Sequence, residues 1–582
     1  MIRTLTKQIG EFRLPSLLTP VWMVGEVSCE MIIPVQMGLI VDNGIYGGDM
    51  GYIVRTGLTM VVVALFGLLF GILGGFHGAK ASAGFARNLR KAMHDNIQTY
   101  SFENIDRFSP PSLVTRLTTD VTNIQNAYQM ILRMAVRAPM TMVIAMVMSF
   151  IISPRLASIY LIAVLFLAVV MGFMMRRTTK YFKKVFERYD ALNESVQENV
   201  SAIRVVKAYV REDYEIGKLK KAALNIYLMF VKAELNLAGI GPIMMGTVYA
   251  SILIISWLGA RSIVAGSLTT GELMSLLTYC MNILMSLMMV SMVFVMITMS
   301  EASARRIAEV IEEKSSLVNP AEPLMEVSSG DIRFEHVDFA YRAGSAEPVL
   351  KDVNLEIHAG EAVGIIGATG SAKSSLVSLI SRLYDVTAGR VLVGGHDVRE
   401  YDMAALREGV SVVLQKNVLF SGTIYDNLRW GDKNASEEEC RRACELACAD
   451  QFIQKFPDGY DTYIEQGGSN VSGGQKQRLC IARALIRKPK VLILDDSMSA
   501  VDTATDAKIR RALREEIPGT TKLIIAQRIS SVQELDRIIV MEDGKINGFG
   551  THGELLAGNA IYREIYESQT GAGPDADFDE KR

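Results

Sequence analysis

Six long apolar runs in the first 300 residues constrain the fold of this chain more than any other feature. A helix that crosses a bilayer needs roughly 20 consecutive apolar residues. Six segments reach that length, namely 16–41, 53–78, 134–153, 156–175, 237–260 and 271–299. The composition agrees, because 49% of the residues are hydrophobic and only 21% are charged. The sequence therefore predicts an all-α transmembrane domain of six long helices with cytoplasmic extensions over residues 1–310, in contact with membrane lipids.

Basic residues predict the orientation of these helices. The connections between spans two and three and between spans four and five are rich in lysine and arginine, whereas the loops DNGIYGGDMG and SIVAGSLTTG contain neither. The positive-inside rule then places both termini and the remainder of the chain in the cytoplasm. Because the first run is too long for a cleaved signal peptide, we expect a multi-pass protein of the cell membrane.

Two features of the spans bear on what the membrane half binds. Glu26 and Glu30 lie one helical turn apart in span one, and carboxylates inside a membrane are costly enough to face a wet cavity or a partner. They are candidates for contacting a cationic substrate, with a water-facing or hydrogen-bonded structural pair as the alternative. Span six carries a stripe of methionines at Met281, Met285, Met288, Met292, Met296 and Met299. Flexible methionine surfaces suit varied hydrophobic ligands, although such a stripe also fits ordinary helix packing.

The stretch from Glu361 to Tyr384 reads EAVGIIGATGSAKSSLVSLISRLY and predicts a buried strand, a glycine-rich turn and a helix. Backbone N–H groups and the dipole at the start of such a helix bind phosphate. Lys373 would reach the terminal phosphates and the Ser374 hydroxyl would ligate magnesium. The predicted nucleotide contacts of this loop are Gly367, Thr369, Gly370, Ser371, Ala372, Lys373, Ser374 and Ser375.

Ala372 departs from the usual pattern G-x-x-x-x-G-K-[ST], which has glycine immediately before the lysine. A methyl group at this position can obstruct the close approach of backbone to phosphate. Either the loop shifts to accommodate the methyl group or nucleotide binding is weaker. Taken alone, the stretch also fits a glycine-containing loop before an ordinary helix.

Further motifs follow along the chain. FEHVDFAY ends at Tyr341, VVLQKNVLF contains Gln415, NVSGGQKQR spans 470–478, VLILDD spans 491–496 and SAVD spans 499–502. Together with the phosphate loop and the segment ENVSAIRVVKAYVREDYE, they resemble the ABC exporters of the six-helix half-transporter kind. The resemblance covers essentially the whole chain apart from an acidic tail over residues 571–582, which we expect to be disordered.

The resemblance implies a domain plan and a set of roles. A linker over residues 311–328 would join the membrane half to an α/β P-loop nucleotide-binding domain with an α-helical signature subdomain over residues 329–570. Coupling loops near 106–118 and 200–215 would transmit motion between the two halves. Tyr341 would stack on adenine, Gln415 and Asp495 would contact magnesium, and Asp502 would belong to the D-loop. The signature residues that would serve the ATP of an opposing subunit are Ser472, Gly473, Gly474 and Gln475.

Two catalytic positions of the family carry other residues here. Asp496 stands where a glutamate positions the attacking water, and Gln527 stands where a switch histidine supports the γ-phosphate. With Ala372, these changes converge on one nucleotide site and resemble the degenerate half of heterodimeric ABC exporters. The nearly intact signature implies that this chain completes a competent ATP site on a second half-transporter.

The expected function is Mg–ATP-driven export of amphipathic drugs or of similar hydrophobic or cationic small molecules. Two alternatives stay open, a lipid or peptide exporter subunit and a non-catalytic subunit that binds ATP for regulation. A net charge of −2 and the lack of a basic patch interleaved with aromatic residues give no reason to expect nucleic acid as a partner.

Overall fold

The computed structural model describes residues 1–341 and 347–570. The chain divides into two compact units, Met1–Gln98 with Pro110–Glu313, and Thr99–Ser109 with Lys314–Arg582. The segment Thr99–Ser109 thus groups with the second unit, and the predicted limits 1–310, 311–328 and 329–570 remain predictions. The predicted acidic tail, 571–582, lies outside the described residues.

Long helices make up the first unit. The α-helices of this part of the chain are α1 (Ile2–Lys7), α2 (Arg13–Leu39), α3 (Met50–Ile97), α4 (Phe102–Phe108, in the second unit), α5 (Pro110–Thr115), α6 (Val121–Ile152), α7 (Pro154–Ser201), α8 (Ile203–Ala208), α9 (Glu212–Ala238), α10 (Ile240–Val264) and α11 (Thr270–Glu312). The short helices α4 and α5 overlap the first predicted coupling loop, near 106–118, and α8 lies in the second, near 200–215.

Six helical segments of the described chain are long and apolar enough to cross a membrane. They are Gly10–Ile45, Met50–Ile97, Pro110–Ile152, Pro154–Thr178, Glu212–Val264 and Thr270–Glu312. Each overlaps one predicted apolar run, so the six-helix prediction is confirmed. Buried tyrosines join the spans, because Tyr160 donates to the carbonyl of Leu276 at 2.7 Å and Tyr279 to that of Met31 at 2.6 Å.

The second unit is an α/β fold. Its strands are β1 (Ile332–Phe339), β2 (Leu350–Ile357), β3 (Ala362–Gly367), β4 (Ala388–Val393), β5 (His396–Asp397), β6 (Val410–Val413), β7 (Gly422–Thr423), β8 (Tyr463–Ile464), β9 (Val491–Asp495), β10 (Thr521–Ile525), β11 (Arg537–Glu542) and β12 (Lys545–Gly550). Its further helices are α12 (Lys373–Ile380), α13 (Met403–Gly409), α14 (Ile424–Leu428), α15 (Glu437–Leu446), α16 (Asp450–Ile453), α17 (Gly473–Ile486), α18 (Thr503–Glu516), α19 (His552–Gly558) and α20 (Ala560–Thr570). This arrangement confirms the predicted fold class.

The central sheet has the strand order β12-β11-β3-β10-β9-β6, and all neighbours except β12 and β11 pair in parallel. Strands β9 and β10 are buried at every position, as expected for a parallel sheet covered on both faces. In such sheets ligands bind at the carboxyl ends of the strands. The loops that follow β3, β10, β9 and β6 therefore meet at one edge, and these loops carry the predicted site residues.

Candidate functional site

The loop between β3 and α12 wraps around its own lysine. Lys373 Nζ donates to the carbonyl of Gly367 at 2.9 Å, to the carbonyl of Ala368 at 2.8 Å and to Ser371 Oγ at 3.2 Å. Gly370 has φ +86°, a left-handed conformation that glycine adopts at low cost. Burial lowers the pKa of Lys373, while the carboxylates at 495 and 496 oppose that shift. The loop is therefore pre-formed, with its ammonium group held at the centre.

Ala372 also has a left-handed backbone, with φ +71° and ψ +22°, immediately before the first residue of α12. Its methyl group packs against the core cluster under the sheet. An alanine in this region of backbone space costs roughly 1 kcal/mol that a glycine would not. The structure thus locates a cost of Ala372 in the backbone, and obstruction of a phosphate by the methyl group remains a prediction.

Ser374 and Asp495 form a pair of oxygen ligands. Ser374 Oγ donates to Asp495 Oδ1 at 3.0 Å across the gap between α12 and the end of β9. Asp495 is buried, and its burial together with the neighbouring Asp496 raises the pKa of its carboxyl group, although the Ser374 hydrogen bond opposes this. Gln415 lies exposed on the loop after β6, the strand next to β9. The pair suits Mg²⁺, which proteins hold with few oxygen ligands plus substrate phosphates.

The two altered catalytic positions contact each other. Gln527, which follows β10, donates from Nε2 to Asp496 Oδ2 at 2.8 Å. Asp496 has φ +47°, and its carbonyl accepts from Ser499 Oγ at 3.0 Å. The sheet therefore brings Asp496 and Gln527 together, as their places after adjacent parallel strands require.

Tyr341 belongs to an aromatic cluster. Its ring meets those of Phe339 and Tyr384 edge-on at centroid distances of 4.8 Å and 5.1 Å, and its hydroxyl lies 2.8 Å from Ser375 Oγ. Tyr384 donates to Asp106 Oδ2 at 2.6 Å, and burial together with this bond raises the pKa of Tyr384. The sequence did not identify Tyr384 or Asp106, because they lie 278 residues apart. Thr369, at the turn of the phosphate loop, is exposed.

The signature forms the start of α17. Ser472 caps the helix, since its Oγ accepts from the N–H of Gln475 at 3.3 Å and Gln475 Oε1 accepts from the N–H of Ser472 at 2.8 Å. A Cβ on Gly474 would come within 2.8 Å of the carbonyl oxygen of Ala500, so only glycine fits this contact. Gly473 is exposed at the same helix end.

Gln477 ties the signature helix to the D-loop. This buried side chain donates to Ser499 Oγ at 3.3 Å and accepts from the N–H of Ala500 at 3.1 Å. Asp502 then caps α18, and the hydrogen bond from the N–H of Thr505, 2.9 Å long, lowers the pKa of its carboxyl group. Sequence reasoning missed Gln477, although its place inside the motif is a signal that could have been used.

An arginine joins the two carboxylates of the first span. Arg137, on α6, donates to Glu26 Oε1 at 2.5 Å and to Glu30 Oε2 at 3.0 Å. The second oxygen of Glu26 is buried and has no hydrogen-bond partner among the residues that the structure describes. The sequence analysis did not anticipate this ion pair, and contact of Glu26 and Glu30 with a cationic substrate remains a prediction. The sequence held a signal for this contact, because Arg137 is a charged residue within the apolar run 134–153.

The methionine stripe lies on an exposed face of α11. Met281, Met285, Met288 and Met292 expose between 38% and 62% of their surface. The helices that the structure describes therefore cover these side chains only in part.

Comparison with known proteins agrees with this geometry. Residues 21–288 match the family described as ABC transporter transmembrane region, and residues 350–499 match the family described as ABC transporter. The uncharacterized ABC transporter ATP-binding protein YfiB of Bacillus subtilis (strain 168) is 36% identical over 549 residues, which cover 94% of this chain and 95% of the relative. An uncharacterized ABC transporter ATP-binding protein of Mycobacterium tuberculosis (strain H37Rv) is 38% identical over 563 residues, 96% of each protein.

A solved structure, described as a bacterial Atm1-family ABC exporter with ATP bound, has the same fold. It matches with a TM-score of 0.82 over 96% of this chain and 99% of that chain, at 24% identity. Six membrane-spanning helices fused to an ATP-binding α/β domain define a half-transporter, which acts as one half of a dimer. The chain belongs to the ABC transporter family and is a subunit of an ATP-driven transporter.

Proposed function

We propose that this chain is the degenerate-site subunit of a heterodimeric ABC exporter. The observation that supports this most directly is the hydrogen bond from Gln527 to Asp496. Phosphoryl transfer depends on positioning the attacking water and on stabilising the transferred charge. The shorter carboxylate of Asp496 accepts from a neutral amide, and that amide cannot exchange a proton as a histidine can. ATP at this phosphate loop is therefore turned over slowly.

The phosphate loop supplies most of the binding. Backbone N–H groups at the start of α12 face the phosphates, Lys373 offers its charge to the terminal ones, and Tyr341 offers its ring to adenine. Ser374 and Asp495, 3.0 Å apart, would hold magnesium, with Gln415 as a further ligand. When bound, magnesium neutralises charge on the phosphate oxygens.

The signature acts on a different nucleotide. Ser472, Gly473 and Gly474 lie at the positive end of α17, a helix of 14 residues, where N–H groups and the dipole attract a phosphate. They complete the ATP site of the second half-transporter, with Asp502 beside them. This chain thereby contributes one slow site of its own and half of a fast one.

The membrane half exports amphipathic small molecules outward, with both termini and the nucleotide-binding domain in the cytoplasm. The exposed methionine stripe of α11 offers a deformable apolar surface to varied ligands. Near Glu26 and Glu30 two carboxylates meet one guanidinium group, so this triad has a net charge of −1 when all three are ionised. A cationic substrate is attracted by that excess charge.

ATP turnover by the full-length chain in lipid tests the proposal. We expect turnover near background for this chain alone and a rise of roughly 100-fold when the second half-transporter is added. Brisk turnover by the chain alone would contradict the degenerate-site assignment. Trapping of ADP by vanadate in the assembled transporter would separate an exporter from a purely regulatory subunit, which traps none.

A further inference from the structure

The last described helix ends against the loop that carries Gln527. Gln569, on α20, donates from Nε2 to the carbonyl of Gln527 at 2.8 Å. Its Oε1 accepts from the N–H of Ile529, also at 2.8 Å. Both distances are those of well-formed hydrogen bonds. One amide side chain thus holds backbone atoms on both sides of Arg528.

Helix α20 is fixed at its beginning, which gives its end a defined position. Tyr562 is completely buried, and its hydroxyl lies 2.7 Å from His552 Nδ1. Asn559 accepts from the N–H of Tyr562 at 2.9 Å and donates to Asn547 Oδ1, on β12, at 2.8 Å. The side chain of Gln569 therefore projects from a rigid support that is anchored to the core.

The two ends of the loop differ in how they are held. Ile529 is 1% exposed, so its own side chain fixes it in the core. Gln527 and Arg528 are exposed, and Gln569 holds the Gln527 carbonyl from outside the sheet. The position of the Gln527 side chain, 2.8 Å from Asp496, depends on this backbone.

We infer that Gln569 is a positioning residue for Gln527. It holds the backbone of Gln527 where the side-chain amide of Gln527 meets the γ-phosphate of bound ATP. The inference uses one element of the proposed function, the placement of Gln527 at the γ-phosphate. It does not depend on whether the site is slow or on which chain completes it. ADP has no γ-phosphate, so the effect of Gln569 is specific to ATP.

The test compares Mg–ATP with Mg–ADP binding to the full-length chain in lipid nanodiscs. Gln569→Met keeps the side-chain length and loses both hydrogen bonds, whereas Gln569→Glu keeps the acceptor for Ile529 but not the donor to Gln527. We expect Gln569→Met to weaken ATP binding roughly tenfold, the size of one hydrogen bond to a charged group, and to leave ADP binding unchanged. Deletion of residues 571–582 is the matched control, because it leaves Gln569 in place and should change neither affinity.

A mutant cycle with Gln527→Ala separates positioning from general stabilisation. If Gln569 acts through Gln527, the double variant binds ATP no more weakly than Gln527→Ala alone. Additive losses, or equal losses for ATP and ADP, would overturn the inference. If Gln527→Ala lowers the preference for ATP and Gln569→Met does not, the role of Gln569 is overturned while that of Gln527 stands.

Hydrogen exchange of the Ile529 amide reports the contact itself. We expect Gln569→Met to speed this exchange at least tenfold and Gln569→Glu to leave it slow, because the carboxylate still accepts from the N–H. Unchanged exchange of the Ile529 amide in Gln569→Met would show that Gln569 does not hold this loop. Brisk turnover by the chain alone would defeat only the degenerate-site proposal, so the two failures are distinguishable.

Discussion

Asp496 accepts a hydrogen bond from the side-chain amide of Gln527, with 2.8 Å between Oδ2 and Nε2. The amide of Gln527 thus uses one of its donors, and the carboxylate of Asp496 one of its acceptor oxygens, in this hydrogen bond. The pair lies at the edge of the sheet where the phosphate loop lies. A carboxylate in this position must orient water in order to support hydrolysis. Because the two side chains are hydrogen-bonded to each other, the hydrolytic activity of this site depends on both residues. Substitutions at each position can measure their separate contributions.

Restoring the usual residues should raise turnover at this site. We expect Asp496→Glu combined with Gln527→His to increase ATP turnover by the assembled transporter roughly 100-fold at this chain's phosphate loop, the scale of positioned acid–base groups. Asp496→Asn is the matched control and should lower the residual turnover. Release of phosphate in a transporter whose other site is inactivated measures the effect, and equal rates for all three proteins would contradict it.

Replacing Ala372 by glycine should tighten ATP binding. Glycine removes the methyl group before the lysine, so the backbone can approach the phosphate more closely. The roughly 1 kcal/mol of left-handed backbone strain is present with or without nucleotide, so its relief should raise the free energy of unfolding and leave the affinity unchanged. Ala368→Gly, in the same loop, lacks a left-handed backbone to relieve and serves as control. A nucleotide titration with unchanged affinity for Ala372→Gly would rule out the steric argument.

Removing Arg137 should destabilise the membrane half. Arg137→Met leaves Glu26 and Glu30 without their counter-charge inside a candidate membrane span, where an uncompensated carboxylate costs about 3 kcal/mol. The triple variant with Glu26→Gln and Glu30→Gln should regain most of that stability. Thermal unfolding in lipid compares the two proteins, and equal melting temperatures would contradict the expectation.

The triple variant also tests the proposed substrate role. Because it keeps the fold but removes the excess negative charge, stimulation of turnover by a cationic amphiphile should fall severalfold. Stimulation by a neutral amphiphile should be retained. Equal stimulation by both compounds in the variant and in the original protein would exclude the carboxylates from substrate recognition.

Glu361 should make the nucleotide-binding unit sensitive to acid. Burial alone would raise the pKa of the Glu361 carboxyl group. The hydrogen bonds from Arg537 and from the N–H of His358 outweigh this effect and hold that pKa below its ordinary 4.5. Its contribution to stability is therefore present above pH 4.5 and is lost as the pH falls through the lowered value. Glu361→Gln should lose about 1 kcal/mol near neutral pH and flatten the acid unfolding curve. Glu356→Gln, an exposed carboxylate on β2, should leave that curve unchanged.

The sequence predicted the parts of this protein that depend on local pattern. Apolar runs fixed the six spans, and the order of short motifs identified the strand ends that carry Lys373, Asp495 and Gln527. It could not supply pairings between distant positions. Arg137 with Glu26, Tyr384 with Asp106 and Gln569 with Gln527 depend on how elements pack, and the spacing of residues along the chain does not encode that packing.

Backbone conformation was a second limit. The sequence marked Ala372 as a departure from the usual motif and attributed its effect to the methyl group near phosphate. The structure adds a left-handed backbone and a methyl group packed against the core. The letter pattern alone could not separate backbone strain from a steric effect on phosphate, because the strain depends on φ and the steric effect depends on the neighbours of Cβ.

Gln477 holds the start of the signature helix and the D-loop together through one buried amide. The residues that differ from the family pattern, Ala372, Asp496 and Gln527, lie elsewhere, on the loops after β3, β9 and β10. Under selection, substitutions can thus accumulate on these loops while the signature helix and the D-loop stay intact. Under the degenerate-site proposal, a half-transporter built in this way can lose its own chemistry gradually and remain indispensable to its neighbour, which gives unequal gene pairs a stable evolutionary route.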